Sequence, residues 1–543
     1  MTTIAATPRF TGTSRSTSEF AGTGQMLRLS LRRDRVIAPL WALLIGLMPA
    51  LQIVSVKDIY STQQQLDQFA STTAASPALI AMYGPVFSSA LGSIGTWKAG
   101  AMYAMIAIAA VLTVVRHTRV EEETGRAELV GATSIGRFAG LTGALLLTFG
   151  ASAVAGIACA ASLMATDLPT AGSVAFGAAL AGSGFVWGAI AAVAAQLSNG
   201  ARIARGVALG TLGAAFAVRA VGDAGNGVLS WFSPLGWCLQ IRPFAEERWW
   251  VLIPLVVLGS GATVLAYHLL RTRDIGAGLL ADRPGPATAG AALSGPVGLA
   301  WRLQRGSLLA WTTGFALYGL LIGGAVNSIG GMLDDAGTLQ DVVTSLGGSA
   351  DLEKAFIAYA ITMLAAAAAA YSISAVLRLH EEEHAGRTES VLAAAVGRVR
   401  YVVSHLLFAL AGPAVALLVS GLGIGVVWGA TDGAVVDKIG QAASAVAVQL
   451  PAIWVVTAVA MLLFGIVPRY AALAWAVLSA MIVVFLLGSL GGLPQWMLDL
   501  VPFIHPPKLP GATFEFTPIA WLLALAVGGI AVGVIAFRRR DLR

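Results

Sequence analysis

Long apolar stretches alternate with short polar segments along most of this 543-residue chain. A helix needs about 20 mainly apolar residues to cross the hydrocarbon core of a bilayer. Twelve stretches meet this requirement, six in each half, so the pattern predicts an all-α polytopic membrane protein with twelve transmembrane helices. The predicted spans lie near residues 36–56, 98–117, 138–164, 171–197, 205–222, 250–270, 306–329, 355–377, 401–428, 441–466, 470–488 and 517–537.

The composition agrees with a membrane protein. Hydrophobic residues make up 57% of the chain and charged residues only 11%, whereas soluble domains carry about 25% charged residues. A chain this apolar cannot cover a water-facing surface, so we expect a multi-pass protein of the cell membrane that contacts the lipid bilayer and no nucleic acid. Its two cysteines, Cys159 and Cys238, lie in separate stretches and suggest neither a disulfide framework nor a metal site.

The basic residues predict the orientation of the chain. Short cytoplasmic loops are enriched in Lys and Arg. With the N-terminus inside, the inner loops hold most of the arginines, and the outer loops hold Arg242, Arg248 and all five lysines. Both termini are therefore predicted to be cytoplasmic.

The two halves form a tandem repeat. The segment Glu-Glu-Glu-Thr-Gly-Arg-Ala-Glu that ends at Glu128 returns as Glu-Glu-Glu-His-Ala-Gly-Arg-Thr-Glu, ending at Glu389. A shift of 261 positions places Gly125 on Gly386, and the same shift aligns later residues of both copies. Six spans per half give both copies one orientation, as in a parallel repeat.

This repeat predicts the organisation of the whole chain. We expect a cytoplasmic tail and amphipathic interfacial helix at 1–35, a first six-helix half at 36–270, a Pro- and Gly-rich cytoplasmic linker at 271–305, and a second six-helix half at 306–543.

The duplicated segments, residues 120–137 and 381–398, each follow the second span of their half on the cytoplasmic side. A short amphipathic helix there would present carboxylates and an arginine to a cytoplasmic partner. The alternative is an ordinary solvated loop, which is the usual meaning of a charge run, but duplication at the same place in each half favours a docking role. The candidate docking residues are Glu121, Glu122, Gly125, Arg126, Glu128, Arg137, Glu382, Glu383, Gly386, Arg387, Glu389 and Arg398.

With these segments the chain resembles the type-2 ABC exporter permeases, which carry a Glu-rich, Gly-containing segment after their second helix. It is most similar to the fused twelve-helix permeases of actinobacterial antibiotic and multidrug export, the tetronasin type. That resemblance extends to the stretches Ser233-Pro-Leu-Gly-Trp237, Arg242-Pro-Phe, Arg273-Asp274-Ile-Gly-Ala-Gly and Leu299-Ala-Trp-Arg-Leu-Gln-Arg305.

The resemblance implies that the duplicated segments are coupling helices on which two copies of a separate ABC ATPase dock. ATP and Mg would then be bound by that partner. The second copy departs from the first by placing His384 where the first has Glu123, so the two docking sites are expected to be unequal.

The chain contains no Gly-x-x-x-x-Gly-Lys-Ser/Thr phosphate loop, and all five lysines are predicted outside. We therefore expect no ATPase activity and no catalytic residue in this chain. Ion-driven transporters usually place Asp or Glu within their spans, and the central parts of these spans carry none. A twelve-helix secondary transporter is the main alternative, and a lipid or polysaccharide exporter with the same machinery is another.

The stretch from His380 to His384 matches the His-Glu-x-x-His pattern of zinc proteases. The equivalent positions in the first copy are Arg119 and Glu123, so the repeat preserves acidity and not metal ligands. No third ligand is evident, and we expect no metal site.

Spans without central charges suit a hydrophobic or amphipathic small-molecule substrate. Helix packing or an interfacial aromatic belt is the alternative role for any one large side chain in them. The candidate cavity residues are Trp41, Met48, Trp311, Tyr318 and Trp475.

Overall fold

A computed structural model describes residues 18–541 except 75, 275, 280–286, 289, 291–292, 294, 334–351, 395, 431–432 and 489–493. The predicted tail up to residue 17 and much of the predicted linker therefore lie outside the described residues. The described part of the chain is helical throughout, with no strand. It divides into two compact units, one of residues 1–70 and 83–283 and the other of residues 71–82 and 284–543.

The first unit contains the amphipathic helix, six long helices and several short ones. Most of their residues are apolar, and Gly and Ala are frequent where two helices approach closely. In chain order, the helices up to residue 272 are α1 Thr23–Arg33, α2 Ile37–Ile59, α3 Gln63–Ala74, α4 Pro77–Tyr83, α5 Leu91–Trp97, α6 Met102–His117, α7 Arg119–Glu123, α8 Arg126–Gly131, α9 Ala139–Met164, α10 Thr170–Leu197, α11 Ala201–Ala224, α12 Pro234–Gln240 and α13 Leu252–Thr272. Residues 71–82, the end of α3 and most of α4, belong to the second unit.

The second unit repeats this order, and its long helices are longer than their counterparts except for the fifth, α19. Its helices are α14 Pro296–Leu333, α15 Leu352–His384, α16 Arg387–Ala393, α17 Arg398–Ala430, α18 Val435–Ile466, α19 Leu473–Gly488, α20 Gln495–Asp499 and α21 Phe516–Arg539.

Eleven described helical segments are long and apolar enough to cross a membrane, which makes this a multi-pass membrane protein. They coincide with eleven of the twelve predicted spans. The predicted span near 470–488 is the apolar helix α19, which has 16 residues and at 1.5 Å per residue extends about 24 Å. That described length is shorter than the hydrocarbon core of about 30 Å, and residues 489–493, which follow directly, lie outside the described residues.

Several helices extend beyond the predicted spans on the polar side. The seventh begins at Pro296, ten residues before the predicted start and inside the predicted linker. Proline suits the first helical position because its missing N–H would have no partner there. Arg302 and Arg305 thus lie on a polar extension of α14 that a hydropathy pattern does not detect.

Each unit has its own apolar core. In the first unit Trp187 on α10 is almost fully buried among the surrounding helices. In the second unit α15 is the most enclosed span, and Trp428 and Phe464 are buried against it. Small residues permit this packing: a Cβ added to Gly465 of α18 would lie 2.2 Å from the carbonyl oxygen of Gly533 on α21.

The charged pair inside α11 is satisfied internally. The Arg219 guanidinium lies 3.1 Å from the Asp223 carboxylate, and both side chains are buried. Asp223 also accepts a hydrogen bond from Ser230 at 2.5 Å. An arginine inside a span thus meets the aspartate one turn later, and neither charge is left uncompensated.

Candidate functional site

The two duplicated segments fold in the same way around a left-handed glycine. Gly125 follows the end of α7 with φ +70°, and Gly386 follows the end of α15 with φ +69°. Each glycine N–H donates to the carbonyl of a glutamate three residues earlier, Glu122 at 3.0 Å and Glu383 at 2.9 Å. This is the helix-ending turn that favours glycine, because other residues have a Cβ that crowds the backbone at positive φ.

In the first unit Glu122 is held inside an ion-pair network. Its carboxylate accepts two hydrogen bonds from the Arg273 guanidinium, at 2.5 and 2.9 Å. Arg119, which is fully buried, donates to the same carboxylate at 2.7 Å. The Arg273 Nε also donates a hydrogen bond to the side-chain oxygen of Gln196 at 2.6 Å.

The second unit reproduces the central pair. The Glu383 carboxylate accepts hydrogen bonds of 2.7 and 2.5 Å from Arg540. Arg540 lies over the rings of Phe464 and Phe537, 5.1 and 5.0 Å from their centroids. Removing one member of a buried ion pair costs about 3–5 kcal/mol, because the other charge is left without compensation.

The last arginine of each segment binds backbone carbonyls at the same helix end that carries the partner of the glutamate. Arg137 donates to the carbonyl of Arg273 at 2.6 Å and to the carbonyl of Leu270 at 2.9 Å. Arg398 donates to the carbonyl of Arg540 at 2.7 Å and to that of Arg538 at 3.1 Å. These carbonyls lie at the ends of α13 and α21, where helical carbonyls have no partner within their own helix.

The pair of Glu121 with Arg126 is repeated by Glu382 with Arg387, at 3.1 and 2.6 Å, but other contacts of the motif differ between the copies. Glu121 pairs with Arg33 of α1 at 2.5 Å and with Arg126 at 3.1 Å. Glu123 accepts the backbone N–H of Ala201 at 2.7 Å, which caps the start of α11. Its counterpart His384 instead lies against the ring of His380.

Glu382 of the second copy is paired within its own segment. Its carboxylate lies 2.9 Å from Arg378 and 2.6 Å from Arg387. The hydrogen bond to Glu382 raises the pKa of the Arg387 guanidinium above its ordinary value.

The predicted docking residues therefore separate into two groups. Glu122, Glu382, Glu383, Arg137 and Arg398 make bonds within the chain, so a charge reversal at Glu122 would disrupt an internal pair. The exposed surface is formed by Arg126, Glu128 and Leu129 in the first copy and by Arg387, Glu389 and Ser390 in the second. Of these, Arg126 and Arg387 also pair with Glu121 and Glu382. The Leu129 side chain is 74% exposed.

Arg273 and Arg540 were absent from the predicted site, although the chain carries a signal for them. Arg-Asp follows the last helix of each half. Repetition marks both arginines as structurally equivalent, but it does not reveal which carboxylate they bind.

The His-Glu-x-x-His stretch places the His380 and His384 rings edge to face, with centroids 5.0 Å apart. Among the residues that the structure describes, no group of three or more His, Cys, Asp or Glu side chains could hold a metal ion.

A cavity of about 450 Å³ lies within the second unit, between α14 and α15. It contains two of the predicted cavity residues, Trp311 and Tyr318, together with Phe315 and Met363. The other three lie elsewhere: Trp41 packs on the core of the first unit, Met48 is half-buried on α2, and Trp475 is exposed on α19.

Comparison with known proteins gives two findings. Residues 293–538 match the family model described as the C-terminal domain of multidrug efflux system permease Rv1217c. The chain is also 53% identical over 527 residues to the multidrug efflux system permease protein Rv1217c of Mycobacterium tuberculosis, covering 97% of this chain and 96% of that protein. The chain therefore belongs to the Rv1217c family of multidrug efflux permeases.

Proposed function

We propose that this chain is the membrane subunit of an ATP-driven ABC exporter. Two copies of a separate ATPase subunit dock on the duplicated segments, and hydrophobic or amphipathic small molecules leave the cytoplasm or the inner leaflet. One observation carries the proposal: the same glycine-led helix occurs twice on the predicted cytoplasmic side, as α8 and α16, and each copy presents an arginine and a glutamate outward.

The exposed face of α8 has the features of a surface that binds another protein. Leu129, a large apolar side chain, is exposed next to Glu128 and about one helical turn from Arg126. An apolar anchor surrounded by polar groups is typical of protein interfaces. The equivalent residue of the second copy is Ser390, so the two docking sites would bind the ATPase with unequal strength.

The charges in the described spans support an external energy source. Asp223 is paired with Arg219, Glu122 with Arg273, and Glu383 with Arg540. A secondary transporter needs a carboxylate that can bind and release its coupling ion. Carboxylates held by arginine are poor sites for a proton or a sodium ion, because the guanidinium already neutralises the charge.

The cavity in the second unit supports an apolar cargo. Its lining is formed by Trp, Phe, Tyr, Met and aliphatic side chains, without a charged group. A site of this kind binds by apolar contact and aromatic stacking and therefore accepts varied molecules. The relative from M. tuberculosis is named as a multidrug efflux permease, which favours drug-like molecules over a lipid or polysaccharide.

Co-purification with the ATPase subunit tests the proposal. Glu128→Arg combined with Glu389→Arg reverses the charge of both exposed surfaces and leaves the internal pairs intact. We expect the affinity for the ATPase to fall at least about tenfold, because like charges across an interface are strongly unfavourable.

Glu515→Arg is the matched control, since Glu515 is exposed but predicted to lie on the outer side. It should bind the ATPase as the unmodified chain does. Normal binding by the Glu128→Arg, Glu389→Arg variant would exclude docking on these faces.

A further inference from the structure

Both units attach the duplicated segment to the end of the last helix at two points. In the first unit the two points are the Glu122–Arg273 ion pair and the bond from Arg137 to the Arg273 carbonyl. We call these three residues the first clasp. The second clasp is formed by Glu383, Arg398 and Arg540, with the same bonds.

The clasp is a built arrangement and not a surface contact. The side chains of Glu122 and Arg273 are 13% and 3% exposed, and those of Glu383 and Arg540 are 8% and 16% exposed. Two parallel hydrogen bonds join each pair, which fixes direction as well as distance. Two copies, with different supporting residues around each arginine, keep the same contacts.

The last helices need such an attachment because they are peripheral. Only 22% of the apolar window of α13 and of α21 is buried in the structure. Each packs sideways on one neighbour: α13 through Gly259 against Phe185 of α10, and α21 through Gly533 against Gly465 of α18. The clasp adds a rigid joint at the cytoplasmic end.

The position of the joint suggests a mechanical role. Each duplicated segment is connected along the chain only to the second and third spans of its half. The last helix follows the short outer helices, α12 in the first unit and α20 in the second. A joint at its other end therefore links the duplicated segment to the outer side of the protein.

We propose that the two clasps transmit movement of the duplicated segments to the last helices and, through them, to the outer segments. This inference rests on the proposed ATP-driven function. Arg273, Arg540, Arg137 and Arg398 are then positioning residues, which couple ATP hydrolysis to transport without contacting substrate or nucleotide.

The test uses the complete complex of this chain with its ATPase subunit in liposomes. The variant Arg273→Gln with Arg540→Gln removes the ion pair of both clasps and keeps the bonds of Arg137 and Arg398 to the backbone carbonyls. Its control, Arg271→Gln with Arg539→Gln, removes the same charge from exposed neighbours on the same helix ends. We expect the first variant to bind the ATPase and hydrolyse ATP but to move at least about tenfold less substrate per ATP, within the usual range of coupling between sites.

The control variant should move as much substrate per ATP as the unmodified complex does. Unchanged coupling in the Arg273→Gln, Arg540→Gln variant would overturn the inference. Failure of the unmodified chain to bind the ATPase would instead refute the proposed function, so the two failures can be distinguished.

A distance measurement covers the case in which the clasp variant does not accumulate. Spin labels on the exposed residues Thr133 and Arg271 report the separation between the duplicated segment and α13. If the clasp is a joint, the separation stays the same with and without trapped nucleotide. A change of about 5 Å, the size of a one-turn shift between elements, would show independent movement and overturn the inference.

The charge-exchanged variant Glu383→Arg with Arg540→Glu gives a further test in the second unit. It should restore at least part of the coupling that Arg540→Gln loses, because the pair is kept with its charges reversed. An exchanged pair that couples no better than Arg540→Gln alone would count against an ion pair as the joint.

Discussion

At the scale of single residues, the two glycines of the duplicated segments have one role. Both adopt positive φ, and a Cβ added to either would meet no atom within 4 Å. Space is therefore not the reason for glycine at Gly125 and Gly386; the backbone conformation is. The turn they form directs α8 and α16 away from the preceding helix.

Alanine at these positions tests that reason. Gly125→Ala and Gly386→Ala should each lower the free energy of unfolding by about 1 kcal/mol, the cost of left-handed backbone in an L-residue. Denaturant titration in detergent measures it.

Gly210→Ala provides the control, because Gly210 lies inside α11 and a Cβ there also meets nothing within 4 Å. It should raise the stability by about 0.5–1 kcal/mol, since alanine is the better helix former. A stabilised Gly125→Ala variant would mean that the turn relaxes to ordinary helix.

At the scale of elements, α14 and α15 enclose a cavity into which α14 directs aromatic side chains. Trp311 lies with its ring centroid 5.9 Å from that of Phe315 and 6.3 Å from that of Tyr371. Trp311 and Phe315 line the cavity from α14, and Met363 lines it from α15. Such a surface adapts to ligands of different shape.

Trp311→Ala should reduce export of an aromatic drug by about 3- to 10-fold, because one aromatic contact contributes about 0.5–1.5 kcal/mol. Drug accumulation in cells that carry the variant and the ATPase measures the effect. Association with the ATPase should not change, since Trp311 lines the cavity and does not belong to the exposed face of either duplicated segment.

The matched variant is Trp521→Ala, which removes the same side chain from an outward position on α21, where it is 69% exposed. Equal losses in both variants would indicate a general effect of tryptophan on the helices and not a contact with the drug.

At the scale of the whole molecule, two units of similar construction share one chain. The buried carboxylates of the described spans are paired with arginines, and the exposed charges of the duplicated segments face the predicted cytoplasm. In the proposed exporter, this distribution would separate the docking surfaces for the ATPase from the apolar cavity.

Vesicles that contain this chain alone should therefore not move drug when a proton gradient is applied. Vesicles that also contain the ATPase should move drug when ATP is added, whether or not the gradient is present. Uptake of a fluorescent substrate measures both. Transport driven by the gradient without the ATPase would favour the secondary-transporter alternative.

Much of the fold could be predicted from the chain because the bilayer imposes length and polarity on each span. Eleven predicted spans coincide with described helices. The differences lie where the pattern loses contrast: α14 begins at Pro296, before its apolar part, and the described part of α19 has 16 residues. A polar extension of a helix cannot be detected from hydropathy, because hydropathy identifies only the apolar part of the helix.

The duplicated segments mark the limit of prediction. Repetition of Gly, Arg and Glu located them, and the identical positive φ of the two glycines agrees with that repetition. The prediction did not separate the glutamates that face outward from those that bind inside. Glu122 and Glu128 are the same residue type in the same motif, yet one pairs with Arg273 and the other is exposed.

The sequence by itself determined that this is a duplicated, multi-pass helical protein with two equivalent polar segments, because hydrophobic length and repetition are local properties of a chain. Only the tertiary structure decided which of those polar residues are available to a partner. Arg273 lies 151 positions after Glu122, and Arg540 lies 157 positions after Glu383. Contacts over such separations depend on how helices pack, and packing depends on close approach between small residues that no periodic pattern records.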